Sequence, residues 1–451
     1  MNTDKNLHHI VIVGGGAGGL ELATTLGNKL GKKKKAAITL IDCTLTHLWK
    51  PLLHEVAAGS LNSYEDEVGY LGQSHWHHFR FRLGRMDRLD RKKQEVSLAP
   101  TLDGEGNEYI PRRTFHYDTL VIAVGSTTND FGIPGVKEHC MFLDTRKEAD
   151  HFHQFLFRSY YTAHTQNEPL REGQLHIAIA GAGATGVELS AELHDSTRQL
   201  AEFGLDQVKP DTDVKITIVE ASDRILPALP PRLSDKVRKA LEKLNIETCT
   251  SQRIIEATPK GFKTESGKFI PAEIKVWAAG IKAPDFLKEF GGLETNHIDQ
   301  LVVKPTLQTT RDDNIFAFGD CAACPLITNS RPGAGDKDET VPPRAQAANQ
   351  QASMLVKTMR QRLKGDSSLP EYKYVDYGSL VNMSSYTTVG TLMGNLSKIS
   401  GSVMIEGIVA RFVYISLYKM HQMILHGPIR MGLSTLANIL TRKAKPRMKL
   451  H

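Results

Sequence analysis

The sequence has few cysteines, no long uncharged apolar run and no recognisable leader segment. Five cysteines in 451 residues are too sparse, and odd in number, to form a disulfide framework, which favours a reducing compartment. No window of about 18 uncharged apolar residues occurs, so no membrane-spanning helix is predicted. The first apolar run, Ile10–Val13, lacks a cleavage site and continues directly into glycines. It therefore predicts a buried strand rather than a signal peptide.

Basic patches with interleaved aromatic residues and nucleic-acid-binding motifs are also missing, so no nucleic-acid partner is predicted. The net charge of +6 and the pI near 8.9 nonetheless suit an anionic partner such as a nucleotide or a lipid headgroup. The length and the hydrophobic content of 40% are ordinary for two or three globular domains.

A glycine-rich turn follows the first predicted strand with the spacing Gly-x-Gly-x-x-Gly. After it come a helical pattern over Leu20–Leu30 and a second strand, "AAITLID", that ends at Asp42. The order strand, glycine turn, helix, strand, acid is typical of a dinucleotide-binding fold, in which the acid bonds a ribose. The glycines of this first glycine turn are Gly14, Gly16, Gly18 and Gly19.

The same plan recurs in the second half of the chain. Strand Ile177–Ala180 leads into a second glycine turn and a helix, and the next strand, "KITIVE", ends at Glu220. Each copy then continues through a hairpin to a buried strand that ends in glycine, Gly125 in the first and Gly280 in the second. The glycines of the second glycine turn are Gly181, Gly183 and Gly186. This internal duplication predicts an α/β protein with two Rossmann-like domains.

Two copies are more informative than one. A single Gly-x-Gly-x-x-Gly is as compatible with a structural turn as with a nucleotide site. Two copies, each between a strand and a helix and each followed by an acid, indicate two dinucleotide sites. Glu220 would accept bonds from both ribose hydroxyls and repel a 2′-phosphate, which predicts NADH rather than NADPH, although Arg224 could tolerate the phosphate.

A late strand, in "NIFAFGDCAACP", ends in Gly319-Asp320. Together with the two folds it resembles the two-dinucleotide-binding flavoprotein reductases, in which the first fold and the late Gly-Asp hold FAD and the inserted second fold holds NAD(P)H. A narrower resemblance, which runs over the whole chain, is to the bacterial type II NADH dehydrogenases. It is carried by "HLWKPLLHEVAAGS", "VWAAGIKAPDFL", "VPPRAQAANQQA" and the ending from "GSLVNMSSYTTVGTLMGNL" to "RMKLH".

The resemblance implies non-covalent FAD, NADH as electron donor and a membrane quinone as acceptor, without proton pumping. Asp42 is expected to bond the FAD ribose and Asp320 the ribityl or pyrophosphate region; their alternatives are a solvated acid and a helix N-cap. Lys50 and Met86 are also expected to contact FAD. An exposed lysine is an equal alternative for Lys50, and packing in the core is an equal alternative for Met86. The remaining expected FAD contacts are Gly14, Gly16, Gly18, Gly19, Gly125, Gly319 and Ala347. Those for NADH are Gly181, Gly183, Gly186, Glu188, Glu220 and Gly280.

Three further side chains take roles from the resemblance. Glu188, in the first turn of the second helix, is expected to act near the nicotinamide and the flavin as the catalytic carboxylate; its alternative is simple stabilisation by the helix dipole. Gln346 and Gln350 fall one turn apart after Pro342-Pro343 and are expected to bond a quinone carbonyl. Their alternative is a polar helix face.

Cys321-x-x-Cys324 raises the question of a metal or a redox dithiol. No second cysteine pair or nearby histidine pattern completes a four-ligand site, so no metal is predicted, and packing behind a buried strand is the favoured interpretation. A copper(I) or zinc site at Cys321 and Cys324 stays open.

The C-terminal region has apolar residues at helical spacing from Ile405 to Leu425, then Gly427-Pro428 and a second apolar segment over Ile429–Leu440. Basic residues follow it. A helical hairpin packed on the protein is one interpretation. An anchor that lies on an anionic lipid surface is the favoured one, because an apolar face and a basic tail together suffice for attachment.

The predicted organisation is an FAD domain over residues 1–165 and 300–370, an inserted NADH domain over 166–299 and a membrane-associating region with amphipathic helices over 371–451. The predicted location is the cytoplasmic face of the bacterial inner membrane, as a peripheral monotopic protein, with a homodimer left open. The alternatives are a soluble reductase of a small redox protein and a membrane-associated nucleotide or metal sensor. Sulfide:quinone oxidoreductase fits poorly, because paired catalytic cysteines are absent from the expected places.

Overall fold

The computed structural model describes residues 7–62, 66–327, 339–392 and 403–441. Two parallel sheets organise the chain, and each begins with a strand that runs into one of the two glycine turns. The α/β architecture and the internal duplication predicted from the sequence are confirmed.

The first sheet has six strands, and its centre is the strand His8–Val13. Four consecutive residues of that strand are buried, as expected for an apolar run covered on both faces. All its pairings are parallel except that of the short edge strand Gln308–Thr309. Across the sheet the strands are Gln308–Thr309, Asp312–Ala317, Thr119–Ile122, His8–Val13, Ala36–Asp42 and Arg80–Leu83.

The second sheet has four strands, all parallel, and its strand His176–Ala180 is buried at every residue. Across this sheet the strands are Ile246–Cys249, Lys215–Val219, His176–Ala180 and Ile274–Trp277. The strand that runs into each glycine turn pairs with the strand that ends at Asp42 or directly before Glu220, so each acid lies beside its own glycine turn.

Helices cover the sheets, and small sheets of two or three strands, antiparallel except for the pair Leu301–Val302 and Ala322–Ala323, lie in the connections. The helices are Ala17–Leu26, Leu53–Ala58, Tyr70–Trp76, Val136–His139, Arg146–Thr165, Ala184–Glu202, Pro210–Asp213, Pro231–Lys243, Ala345–Arg362 and Gly407–Thr441. The remaining strands are Thr46–His47, Val68–Gly69, Met86–Asp90, Glu95–Leu98, Thr101–Leu102, Glu108–Ile110, Arg113–His116, Thr127–Thr128, Ile254–Thr258, Gly261–Thr264, Phe269–Pro271, Ile281–Lys282, Leu301–Val302, Ala322–Ala323, Gly378–Met383, Thr387–Leu392 and Val403–Glu406.

The core around the second sheet combines residues from several parts of the chain. Phe152 from the helix Arg146–Thr165, Val56 from the helix Leu53–Ala58 and Val389 from the C-terminal hairpin all belong to it. Ala283 belongs to the core of the first sheet. The domain boundaries at 166 and 299 stay a prediction.

The C-terminal helix Gly407–Thr441 is broken at Gly427, where φ is 77° and ψ is 166° and Pro428 follows. The predicted interruption is confirmed, but the helix starts two residues later than predicted, because Ile405 lies in the strand Val403–Glu406. Within the described residues no helix is both long and apolar enough to cross a bilayer. The predicted basic tail, 442–449, lies outside the described residues.

Candidate functional site

Most glycines of the first glycine turn are needed for the protein's own packing. A Cβ on Gly14, which has φ +103°, would clash with the carbonyl oxygen of Ala123, and one on Gly19 would clash with that of Gly14. A Cβ on Gly18 would approach Phe318 to 2.5 Å. Gly16 differs, because it has an ordinary extended backbone and a Cβ there would meet nothing within 4 Å.

The second glycine turn repeats this division of roles. Gly181, with φ +100°, and Gly186 are required by close backbone contacts, while a Cβ on Gly183 would meet nothing within 4 Å. In both turns the middle glycine, Gly16 or Gly183, is thus the position where contacts within the protein do not require a glycine. A glycine that leaves open space is expected where a ligand, rather than the chain, approaches the backbone.

The two acids make matching hydrogen bonds. Asp42 accepts the N–H of Gly15 at 2.7 Å and that of Thr44 at 2.8 Å. Glu220 accepts the N–H of Ala182 at 2.7 Å and that of Ser222 at 2.8 Å. In each copy these donors are the residue after the first glycine and the residue two positions after the acid. The acids therefore hold both turns in shape and keep lone pairs that can accept a ribose hydroxyl.

Each turn fits a pyrophosphate. Gly16 and Gly183 are the N-caps of the helices Ala17–Leu26 and Ala184–Glu202, and neither has a side-chain cap. The first N–H groups of both helices are therefore available to an anion, which the positive end of the helix dipole also favours. The open space at each middle glycine lies at such a helix start. The residues present fit two dinucleotides.

Near the first turn, hydrogen bonds connect the ends of two strands. Lys50 donates to the carbonyl oxygen of Ser126 at 2.9 Å and pairs with Asp144 at 3.2 Å. The Ser126 hydroxyl in turn donates to the Asp320 carboxylate at 2.9 Å. Ser126 thus bridges Lys50 and Asp320, which lie far apart in the sequence, through two hydrogen bonds. Ser126 directly follows Gly125, whose φ is +72°.

The remaining residues predicted to bind FAD or NADH have the following places in the structure. Gly319, with φ +72°, donates its N–H to Gln351 at 2.9 Å, so the late Gly-Asp is fixed against the helix Ala345–Arg362, where Ala347 is buried. Met86 is buried in the first core, close to Gly84, whose N–H bonds the Asp42 carbonyl oxygen at 2.8 Å. Gly280, with φ +68°, is the counterpart of Gly125 in the second copy.

Glu188 is buried beneath the second glycine turn. Its Oε1 accepts the N–H of Asn382 at 2.9 Å, and its Oε2 lies 4.0 Å from Nδ1 of His54. Burial is the main reason that the pKa of Glu188 is raised to about 8; the Asn382 hydrogen bond lowers this pKa and the nearby Glu192 carboxylate raises it. Glu188 is therefore placed to hold a proton at neutral pH.

Gln346 and Gln350 do lie on one face of their helix, and that face meets the segment 372–378. Nε2 of Gln346 has three acceptors at 3.2 Å, on Tyr374, Asp376 and Gly378, although an amide has only two N–H groups. Gln350 donates to the carbonyl oxygen of Val375 at 2.8 Å. Both predicted quinone ligands are thus hydrogen-bonded to the protein itself.

Cys321 and Cys324 are fully buried. The Cys321 thiol donates to the carbonyl oxygen of Phe318 at 3.3 Å. Burial raises the pKa of both thiols to about 12. That environment disfavours the thiolate, which both metal binding and dithiol redox chemistry require.

Several site residues had no signal in the sequence. The Tyr70 hydroxyl donates to the carbonyl oxygen of Gly15 at 2.8 Å, and Gln300 donates to that of Asp320 at 2.9 Å. Ser126 bonds both Lys50 and Asp320, and Asn382 donates its N–H to Glu188. His54 and Glu55 differ from these residues, because their titratable side chains interrupt the apolar stretch "PLLHEVAA", which is a signal in the sequence.

Comparison with known proteins agrees with this geometry. Residues 8–352 match the family described as pyridine nucleotide-disulphide oxidoreductase. A type II NADH:quinone oxidoreductase of Haemophilus influenzae is 43% identical over 99% of this chain and 100% of its own length. One of Staphylococcus aureus is 32% identical over 85% of this chain and 90% of its own. The solved NDH2 of Plasmodium falciparum in complex with NADH has the same fold, with a TM-score of 0.80 at 18% identity over 98% of this chain and 100% of that one.

Proposed function

Because this chain belongs to the pyridine nucleotide-disulphide oxidoreductases and, among them, to the type II NADH:quinone oxidoreductases, we infer that it oxidises NADH and reduces a quinone by way of FAD. The observation that carries this function is the pair of glycine turns, each with an open middle position and a strand-end acid. Bound FAD supplies the two-electron chemistry that connects NADH to the quinone. The alternatives, a soluble reductase of a redox protein and a sensor, are not favoured.

For FAD, we propose that the first glycine turn binds the pyrophosphate and that Asp42 bonds the ribose. Lys50, Ser126 and Asp320 would line the side of the site where the late strand ends, since hydrogen bonds already connect them. Gly125 and Gly319 have positive φ values, which let the backbone pass close to the cofactor. The segment that begins at Met86 would contact the adenine through its backbone, because the Met86 side chain is in the core.

For NADH, the second glycine turn would bind the pyrophosphate and Glu220 the adenosine ribose. A 2′-phosphate would bring a second negative charge next to the Glu220 carboxylate, which is unfavourable. Arg224 donates to the carbonyl oxygen of Pro227 at 2.8 Å and keeps its charge and other N–H groups, so it would offset part of this repulsion. Glu188, close to the turn and buried, would face the nicotinamide and act as the catalytic carboxyl.

For the quinone, we propose the N-terminal end of the helix Ala345–Arg362. The Gln346 amide has one more acceptor than it has N–H groups, so it can exchange one for a quinone carbonyl. Nε2 of Gln350 donates to the carbonyl oxygen of Val375, and its other N–H group is directed to the quinone in this proposal. The segment 372–378 would then act as the wall of the quinone site.

The function is tested on the purified protein by its absorbance. The protein is expected to be yellow, to bleach when NADH is added and to recover its colour when a short-chain quinone follows. NADPH at the same concentration is expected to bleach it more slowly, because of Glu220. A colourless protein, or a flavin that NADH does not reduce, would contradict the proposal.

We further propose that the C-terminal helix attaches the protein to a membrane surface. One stripe of the helix packs on the protein, with Ala410, His421 and Leu425 buried. The opposite side carries large apolar residues that are exposed, such as Ile408 at 88% and Phe412 at 73%. Further exposed apolar residues of this helix are Val409, Ile415, Met420, Ile429, Leu433, Leu436 and Leu440. An unpaired apolar face of this size suits the interface of a bilayer, where a quinone is dissolved.

The location follows from this attachment. The proposed side is the cytoplasmic face of the bacterial inner membrane, since NADH is formed in the cytoplasm. The proposed lipids are anionic, in keeping with the net charge of +6. The homodimer stays a prediction.

Replacing Ile408 and Phe412 together by glutamate is expected to release the protein from vesicles that contain anionic phosphatidylglycerol. Burying each side chain contributes about 1.5–3 kcal/mol, so the pair should lower vesicle partitioning by about 100-fold or more. The fraction of protein that sediments with the vesicles measures this partitioning. The control is Leu102→Glu with Tyr109→Glu, two similarly exposed apolar residues on the hairpin of the first domain. Equal pelleting of both double variants would rule out this attachment.

A further inference from the structure

A run of lysines follows the helix Ala17–Leu26 and lies outside the site residues described above. The segment 27–35, "GNKLGKKKK", connects this helix to the strand Ala36–Asp42. All of its lysine side chains are exposed, so their charges are available to an anionic partner. We call these side chains the lysine patch, which consists of Lys29, Lys32, Lys33, Lys34 and Lys35.

The fold places the lysine patch beside the end of the helix Tyr70–Trp76. Nδ2 of Asn28 donates to Nδ1 of His77, the residue after this helix, at 3.0 Å. A Cβ on Gly27 would clash with the carbonyl oxygen of His77, and one on Gly31 with that of His78. The two glycines therefore let the lysine segment pass directly against the backbone at the end of the helix.

The helix Tyr70–Trp76 exposes two large apolar side chains. Leu71 is 64% exposed and Trp76 is 55% exposed, while Tyr70 and Gln73 are buried. The Trp76 ring lies over Gly72, where an added Cβ would be 3.4 Å from it. A tryptophan with an apolar body and a polar N–H is typical of the headgroup level of a bilayer, where both parts are satisfied.

The C-terminal helix continues this apolar surface. Nε2 of Gln73 donates to the carbonyl oxygen of Leu425 at 2.8 Å, close to the break at Gly427, where a helix leaves carbonyl groups without helical partners. The Arg430 guanidinium lies 4.5 Å from the centre of the Trp76 ring. Next to Arg430, Ile429 is 77% exposed. The helix Tyr70–Trp76 is thus fixed to the helix that is proposed to lie on the membrane.

The charge of this region has one sign. The three segments that meet here are 22–41, 68–86 and 407–441, and none of them contains an aspartate or a glutamate. An anionic leaflet attracts lysines that come close to its surface. Because no carboxylate within these segments opposes that attraction, the apolar side chains and the lysines would favour the same anionic lipid surface.

We propose that the lysine patch, Leu71 and Trp76 form a second contact with an anionic bilayer surface, beside the C-terminal helix. This inference rests on the membrane attachment in the proposed function and adds a part of the first domain to it. A single interfacial helix leaves the protein free to rotate about the helix axis, whereas two contacts fix the orientation of the protein on the lipid. A second copy of this chain suits the surface less well, because a two-fold interface would bring two lysine patches together.

Tryptophan emission tests the contact directly, because Trp76 is the exposed one of three tryptophans and Trp49 and Trp277 are buried. When vesicles of phosphatidylglycerol are added to the holoenzyme, the emission should shift to shorter wavelength, since the Trp76 ring leaves water. Phosphatidylglycerol with brominated acyl chains should quench this emission. Both effects should be lost in Trp76→Phe, which keeps an apolar ring at the surface.

Replacing Lys32, Lys33, Lys34 and Lys35 together by glutamine tests the charge. Each lysine near an anionic surface strengthens binding by up to about fivefold, so the quadruple variant should partition to these vesicles about tenfold less or weaker still. Added salt should narrow this difference, because it screens exposed charges. The matched control has the same change of net charge on other exposed lysines, Lys92, Lys93, Lys260 and Lys288, and should partition like the wild type.

The outcomes separate this inference from the proposed function. Emission that brominated lipid does not quench, or equal partitioning of the two quadruple variants, would overturn the second contact. A shift that appears without vesicles as the protein concentration rises would overturn it in favour of a second copy of this chain. Failure of the wild type to sediment with the vesicles would instead contradict the attachment by the C-terminal helix. Reduction of a short-chain quinone by NADH in solution should be unchanged in every variant, since none of the replaced residues lies at the proposed coenzyme or quinone sites.

Discussion

Gly183→Val is expected to leave a folded, yellow protein whose flavin NADH no longer reduces. The middle glycine has φ −70° and ψ −177°, which valine adopts readily, and its added Cβ meets no protein atom within 4 Å. The side chain would instead fill the space at the N-terminus of the helix Ala184–Glu202, where the NADH pyrophosphate is proposed to bind. A displacement of about 1 Å there costs about 100-fold, so kcat/KM for NADH should fall by at least that much.

Stopped-flow absorbance measures this directly. Dithionite should still bleach the Gly183→Val flavin at the normal rate, because the first domain is untouched. The comparison variant Gly181→Val should fail to fold, since a Cβ there would crowd the backbone of Ala278 and Ala279 at 2.8 Å. If NADH reduced Gly183→Val normally, the second glycine turn would not be the NADH site.

Gly16→Val is expected to give a folded but colourless protein. Gly16 has φ −60° and ψ −175°, and nothing of the protein lies within 4 Å of the added Cβ. Crowding of a close backbone contact typically costs about 1–3 kcal/mol, which corresponds to about 5- to 150-fold weaker FAD binding. The flavin per chain after purification, from absorbance, measures the effect, and circular dichroism verifies the fold.

The two variants form a matched pair. Gly16→Val should lose flavin, whereas Gly183→Val should keep flavin and lose only the response to NADH. The reverse pattern would exchange the two assignments. Flavin at the wild-type level in Gly16→Val would show that the first glycine turn does not carry the cofactor.

Much of the fold could be predicted because it depends on local chemistry. A buried strand that runs into Gly14 or Gly181 has few alternatives to the strand, turn, helix order, and the strand-end position of Asp42 and Glu220 follows from the next strand. The break at Gly427-Pro428 is likewise local. The first residues of the C-terminal helix were less predictable, since Ile405 pairs with Gly390 in a strand that helical periodicity does not reveal.

Less of the site could be predicted because it depends on tertiary contacts. The sequence does not indicate that Ser126 connects Lys50 with Asp320, or that Asn382 binds Glu188 from the C-terminal hairpin. It placed Gln346 and Gln350 on one helix face, yet the segment 372–378 that meets this face arrives from elsewhere in the chain.

The bonds of Asp42 to Gly15 and of Glu220 to Ala182 form within the protein alone. Both loops are therefore already arranged for their coenzymes, so association does not have to order flexible backbone, and more of the contact free energy is kept as affinity. NADH must bind and dissociate in every catalytic cycle. A second glycine turn that is already formed makes the rate of NADH association less dependent on slow loop closure.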